Sequence, residues 1–186
     1  SWNAMENSLL NRNVNFVEKS MVIEYGDRKI KFCNNILQVI QKYVQSERKS
    51  YEAGGILIGR ENCGNSNLII EFITEPMTAD QRSRSRFLRK DKRHLDFFKK
   101  LYEENEGVYG YMGEWHTHPE NIPQYSFIDS NNWKKIGKEM KGGIQYHIIA
   151  GIQEVGIWEY NAVQKRITKI CSIDWKGILK ENETII

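Results

Sequence analysis

Residues 113–119 read Gly113-Glu114-Trp115-His116-Thr117-His118-Pro119, and a short way on the chain reads Tyr125-Ser126-Phe127-Ile128-Asp129. Side chains alternate faces along a strand, so His116 and His118 point to the same side. Two imidazoles at that separation can share one metal ion. A catalytic zinc takes three protein ligands and keeps a fourth position for water. Asp129, eleven residues after His118 and beyond a loop with Pro119 and Pro123, is the third candidate. Ser126-x-x-Asp129 also reads as a helix cap, with the serine at the cap and the acidic side chain near the positive end of the helix dipole. The two readings are compatible, because a helix start would hold Asp129 rigidly and leave Ser126 on the same turn. Each motif alone has an ordinary meaning, a cap or a packed strand. Both within fourteen residues favour a metal. Glu114 shares the strand parity of the histidines and is a competing carboxylate, suited to touching substrate or to accepting a ligand's second N–H.

Outward from this stretch the pattern is mixed α/β. Met21–Tyr25 and Lys29–Phe32 are strand-like around a Gly26-Asp27 turn. Ile36, Leu37, Val39, Ile40, Tyr43 and Val44 recur at helical spacing through residue 46, with Asn34 or Asn35 able to cap. Gly54–Gly59 and Leu68–Ile73 read as paired strands, and 74–85 as an exposed loop. Leu95, Phe97, Phe98, Leu101 and Tyr102 lie on a helical stripe and read as core. Val108–His118 is a strand, Ser126 opens a helix to about Met140, and three strands close the domain. Strands do not alternate regularly with helices, which argues against a doubly wound sheet. The expected division is a cloning remnant at 1–4, a loose lead-in at 5–19, one domain at 20–175 and a tail at 176–186.

Composition limits the functional classes. Hydrophobic residues make up 40% and charged residues 27% of 186 residues, as in an ordinary globular domain. No apolar run reaches the ~18–20 residues that span a bilayer. Three widely spaced cysteines, Cys33, Cys63 and Cys171, form no disulfide framework and suit a reducing, cytoplasmic setting. They also lack a histidine nearby in sequence, which argues against a cysteine nucleophile. His94 and His147 fall outside the cluster and read as packed or surface histidines.

Glu52-Ala53-Gly54-Gly55-Ile56-Leu57-Ile58-Gly59, then His116-x-His118-Pro119, then Ser126-x-x-Asp129, resembles the JAMM motif of JAB/MPN-domain zinc metalloproteases. The resemblance covers roughly residues 20–173. The Gly-Glu-Trp-His-Thr-His-Pro form is most similar to bacterial JAB deconjugating peptidases associated with ubiquitin-like conjugation and CBASS antiphage systems. Tyr125 stands where those relatives often have proline. The resemblance implies an α/β fold: a single domain with a curved, mixed and mostly antiparallel sheet flanked by helices, of cytidine-deaminase-like architecture. It implies that His116, His118 and Asp129 bind Zn2+, that Glu52 is the general base and acid, and that Ser126 supports the oxyanion. Nothing in the spacing itself links Glu52 to His116. The implied reaction is hydrolysis after the C-terminal tail of a ubiquitin-like protein, in deconjugation or precursor processing. Processing of a sulfur-carrier protein and a non-catalytic scaffold are the alternatives.

The net charge of +3 is concentrated. Residues 82–93 hold seven basic residues and one Asp, a local +6 that leaves the rest of the chain at −3. A solvated face, a phosphate contact and a docking surface for an acidic partner are the three readings. Phe87 is the only aromatic interleaved there, which disfavours nucleic acid. On the docking reading Arg82, Arg84 and Arg86 touch substrate, and residues 74–90 clamp its tail.

Overall fold

The computed structural model describes residues 13–140 and 143–183. The expected remnant at 1–4, the first part of the lead-in and the last residues of the tail lie outside the described residues. The elements are β1 (Val14–Val17), β2 (Ser20–Tyr25), β3 (Arg28–Phe32), α1 (Asn34–Gln41), β4 (Gly54–Glu61), β5 (Leu68–Ile73), β6 (Gln81–Ser83) and β7 (Arg86–Leu88). They continue as α2 (Arg93–Glu104), β8 (Gly110–Thr117), α3 (Phe127–Glu139), β9 (Ile144–Ala150), β10 (Glu154–Asn161), β11 (Arg166–Asp174) and α4 (Trp175–Glu183).

Nine strands form one sheet in the order β1-β2-β3-β5-β4-β8-β9-β10-β11. Among the described strands, only β3–β5 and β8–β9 run parallel. The sheet curves strongly enough for Arg28 on β3 to donate to the Tyr146 hydroxyl on β9 at 3.0 Å. This is the mixed, mostly antiparallel sheet with flanking helices that the family resemblance implied.

The central strands are buried on both faces, and alternate side chains feed two cores. Trp115 and Ile148 join the larger core, which α1 covers with Ile36, Leu37 and Ile40. Ile149 belongs to a second cluster with Trp133 of α3, Trp158 and Tyr160. His116 pairs with Ile149 in the β8–β9 register, so the histidine face of β8 is the face that α3 covers.

Local expectations needed correction at four places. α1 stops at Gln41, because the periodic stretch continues as i,i+3-bonded turns through Val44. The cap position is Cys33, so neither asparagine caps it. Within the expected 74–85 loop, β6 pairs with β7 as a separate hairpin. The α2 stripe is not core. Leu95, Phe97 and Tyr102 are exposed, and His94 is the helix's fully buried residue. The reason is angular: Leu95 and Phe97 lie roughly 200° apart around a helix, so one sheet cannot cover both. In addition, β1 occupies part of the lead-in, and α4 begins where the tail was expected.

Gly113 is required by its neighbours. Its φ is +153°, and a Cβ there would sit 1.9 Å from the Tyr146 carbonyl oxygen. The β4–β8 register shifts here, since Leu57 pairs with Gly113 and Ile58 with Tyr111. That bulge brings Tyr111 onto the face of Glu114, where odd spacing would otherwise separate them. Gly113→Ala is expected to cost about 3 kcal/mol or more through strain and overpacking, read as a lowered denaturation midpoint.

His147 on β9 is completely buried and stacks on Trp133 at 4.5 Å between ring centroids. Its Nδ1 accepts the Glu114 N–H, so Nε2 carries the proton towards Gln145 Oε1 at 2.7 Å. Burial first, and then the neighbouring His116 charge, lower its pKa to about 3. An unfolded histidine titrates near ~6.5, so between about 3 and 6.5 the unfolded chain binds the extra proton. The contribution of His147 to stability is therefore complete above ~6.5 and is lost as pH falls towards its folded pKa. Its imidazole nitrogens should show no titration by NMR between pH 8 and pH 5 in the folded protein.

Candidate active site

The glutamate and the histidines come from distant parts of the chain, and paired backbone joins them. β4 runs antiparallel to β8 with Gly54 opposite His116. Immediately before β4, Thr117 N–H donates to the Ala53 carbonyl at 2.9 Å, and Ala53 N–H donates to Thr117 Oγ1 at 2.9 Å. Glu52 directly precedes Ala53. It is 5% exposed, and its Oε1 lies 3.8 Å from His118 Nε2. Burial pushes its pKa up to about 7, against the pull of His116 and His118. That is the range suited to moving a proton at neutral pH.

His116, His118 and Asp129 converge. His116 Nε2 is 3.0 Å from His118 Nε2 and 3.1 Å from Asp129 Oδ1, while His118 Nε2 is 3.3 Å from Asp129 Oδ2. With His118 Nε2 unprotonated, either a proton on His116 Nε2 or a shared cation lies between the two nitrogens at this distance. The two-nitrogen, one-oxygen donor set fits a divalent metal with an open position, and the three donors lie within 4.8 Å of one another. His118 Nδ1 meets Glu120 Oε1 at 3.0 Å, which places the proton on Nδ1 and frees Nε2. Burial works against protonating His118, but Asp129, Glu120 and Glu52 raise its pKa to about 9. Asp129 is held well below the usual carboxylate range. Burial alone would raise it, but the His116 charge outweighs burial, together with hydrogen bonds from both histidines and Ser126 N–H. The site therefore attracts positive charge.

The capping motif and the cluster are the same residues. Ser126 caps α3 by accepting Asp129 N–H at 3.1 Å, and Ser126 N–H donates to Asp129 Oδ2 at 2.7 Å. The cap sets the Asp129 rotamer, and the serine hydroxyl keeps its own proton to donate.

A cleft of about 820 Å³ surrounds these groups. Arg86, Phe87 and Leu88 of β7 form one wall, and Tyr125, Ser126 and Trp133 belong to the other. Glu114 also lines it, with Oε1 held by Arg89 Nε (3.1 Å) and the Tyr111 hydroxyl (2.8 Å), and Oε2 held by Asn132 Nδ2 (3.2 Å). It touches neither imidazole of the cluster. Of the three arginines expected at the substrate, only Arg86 lines the cleft. Arg82 donates from Nε to the Glu52 carbonyl at 2.7 Å, and Arg84 donates to the Glu47 carbonyl at 2.9 Å.

Sequence reasoning missed Glu120, Arg89 and Asn132. Glu120 had a usable signal, since it lies two residues after His118 and the ring's second nitrogen needs an acceptor. Arg89 and Asn132 had none, because only the fold brings the hairpin and α3 to Glu114. His94 is buried away from the cluster, with Nδ1 2.6 Å from Thr74 Oγ1 and Nε2 2.7 Å from Asp80 Oδ2. Cys171 is buried, and burial pushes its thiol up to about 12.

Comparison with known proteins adds family information. A family model described as prokaryotic homologs of the JAB domain matches residues 37–163. A protein of Escherichia coli (strain TW11681), named CD-NTase/cGAS isopeptidase, is 36% identical over 60% of this chain and 70% of its own length. Proteins of the same name from Pseudomonas aeruginosa and Vibrio cholerae are each 30% identical over 59% of this chain, covering 68% and 69% of their own lengths. The solution structure of protein DSY2949 from Desulfitobacterium hafniense superposes with a TM-score of 0.50 at 16% identity, over 75% of this chain and 87% of that one. That likeness speaks to the fold alone.

Removing the acceptor behind His118 should loosen the metal without touching a ligand. Glu120→Ala is expected to weaken Co2+ binding about 10–100-fold, measured by titration of the cobalt absorption band.

Proposed function

This chain belongs to the prokaryotic homologs of the JAB domain, and we propose that it is a zinc-dependent isopeptidase that removes a ubiquitin-like protein from its conjugate. The observation that carries the reading is a nearly buried carboxylate, Glu52, on the same cleft as three convergent metal-ligand atoms. His116, His118 and Asp129 would hold the ion. When bound, zinc would polarise the scissile carbonyl and lower the pKa of a water to about 7.

The remaining work falls to the chain. Glu52, with its pKa raised to about 7, takes the water proton and delivers it to the leaving amine as the bond to carbon breaks. Ser126 donates its hydroxyl proton to the oxygen on which negative charge develops. Such a donor contributes about 2.7–4 kcal/mol when it is aimed at that charge.

The substrate reading rests on the cleft. β7 pairs with β6 alone among the described strands, and β7 lines the cleft, where an extended tail can add as a strand. Gly54 lies beneath Phe87 so closely that a Cβ would sit 2.5 Å from the ring. From the names of the relatives, we take the isopeptide-bonded conjugate to contain a CD-NTase; the ubiquitin-like protein is what the resemblance to JAB deconjugating peptidases implies. No helix among the described residues is long and apolar enough to cross a membrane. The free cysteines suit a reducing, cytoplasmic setting.

Glu52→Gln should keep one zinc per chain and lose about 10²–10⁴-fold in cleavage of such a conjugate, followed by gel shift and elemental analysis. Ser126→Ala should lower kcat about 10²–10³-fold. Wild-type turnover by Glu52→Gln, with loss on Glu114→Gln instead, would assign the base to the other carboxylate.

A further inference from the structure

Residues 47–53 are the second part of the α1–β4 connection and have no regular secondary structure, although they carry the glutamate of the site. Backbone groups in such a segment need partners from elsewhere, and here most of those partners come from three consecutive hairpin residues. Arg82 donates from Nε to the Glu52 carbonyl at 2.7 Å and from its terminal nitrogen to the Tyr51 carbonyl at 3.4 Å. The Ser83 carbonyl accepts the Glu52 N–H at 2.8 Å. Arg84 donates to the Glu47 and Ser50 carbonyls at 2.9 and 3.4 Å. Gln45 Nε2 bridges the Ser50 and Arg84 carbonyls at 3.2 and 2.8 Å, and Gln45 Oε1 accepts the Thr117 hydroxyl proton at 2.9 Å. The Arg82 guanidinium also lies 5.9 Å from the Tyr43 ring centroid.

Both backbone groups of Glu52 are thus held by β6, one by a side chain and one by a carbonyl. The same hairpin presents Arg86, Phe87 and Leu88 to the cleft on β7. We infer that Arg82 is a positioning residue for Glu52, and that it acts through the backbone carbonyl rather than by docking substrate with its charge. The inference rests on Glu52 as the proton-transferring group. Misplacing such a group by about 1 Å can cost on the order of 10²-fold in rate, so one hydrogen bond to its backbone suffices for a measurable effect.

A pair of variants separates the two roles. Glutamine places its side-chain nitrogen the same number of bonds from the backbone as Arg82 Nε, keeps an N–H donor and removes the charge. Steady-state kinetics on a ubiquitin-like conjugate, with zinc content measured on each preparation, should show kcat lowered at least about tenfold in Arg82→Ala. KM and zinc content should stay near wild type, and Arg82→Gln should recover most of the loss. A raised KM with unchanged kcat in both variants would overturn the inference in favour of charge docking. Wild-type kinetics in Arg82→Ala would overturn it as well. Glu52→Gln is measured alongside. If it turns over at the wild-type rate, the base assignment itself fails and this inference fails with it. If it is inactive while Arg82→Ala is unimpaired, only the positioning role fails.

Discussion

Two hydrogen bonds between Ala53 and Thr117 hold the site together. One is an ordinary strand pairing, and the other replaces a backbone acceptor with the threonine hydroxyl. Thr117 lies between the two histidines, and Ala53 lies between Glu52 and the first glycine of β4. The pair therefore fixes the distance between a carboxylate from the first third of the chain and an imidazole pair from its middle. Thr117 itself is fully buried, and its hydroxyl also donates to Gln45. A serine could make the same bonds, but an alanine would leave Ala53 N–H and Gln45 Oε1 without these partners in a dry interior, where each lost bond costs about 1–3 kcal/mol.

Glycines permit this pairing and carry no chemistry themselves. A Cβ on Gly55 would meet the Thr74 carbonyl at 2.0 Å, and one on Gly113 would meet the Tyr146 carbonyl at 1.9 Å. β4 and β8 are thus pressed between neighbours on both sides, and their side chains are free only where the cleft opens. The bulge at Gly113 then turns Tyr111 towards Glu114. The site is built from close backbone approach first and side-chain placement second.

The parts of this arrangement that were legible in sequence share one property: they depend on local periodicity. His116 and His118 are two apart on a strand, and Ser126 and Asp129 share one helical turn, so their relations survive without knowledge of the fold. The glycine run after Glu52 signalled close packing for the same reason. Glu52 was tied to the histidines only through a family pattern, because antiparallel pairing across sixty residues leaves no spacing to read. The α2 stripe misled because helical periodicity records which residues are apolar and not how wide a surface awaits them. Leu95 and Phe97 are both apolar, and the sheet reaches only part of the arc they span.

The partners of the basic segment were not legible, for a different physical reason. Charge density in a sequence suggests ionic partners, yet a guanidinium is also a five-donor hydrogen-bonding group, and neutral carbonyls satisfy it. Carbonyl acceptors belong to every residue, so no sequence pattern announces them. Arg93 pairs with Asp91 and Arg89 with Glu114, while Arg82 and Arg84 go to backbone oxygens of 47–52. Only part of the local excess charge is left to face solvent or substrate. An irregular segment that must hold a buried carboxylate still needs donors for its carbonyls, and arginine supplies several from one side chain. Two of the seven basic residues, Arg82 and Arg84, answer that structural need at the irregular backbone next to the site.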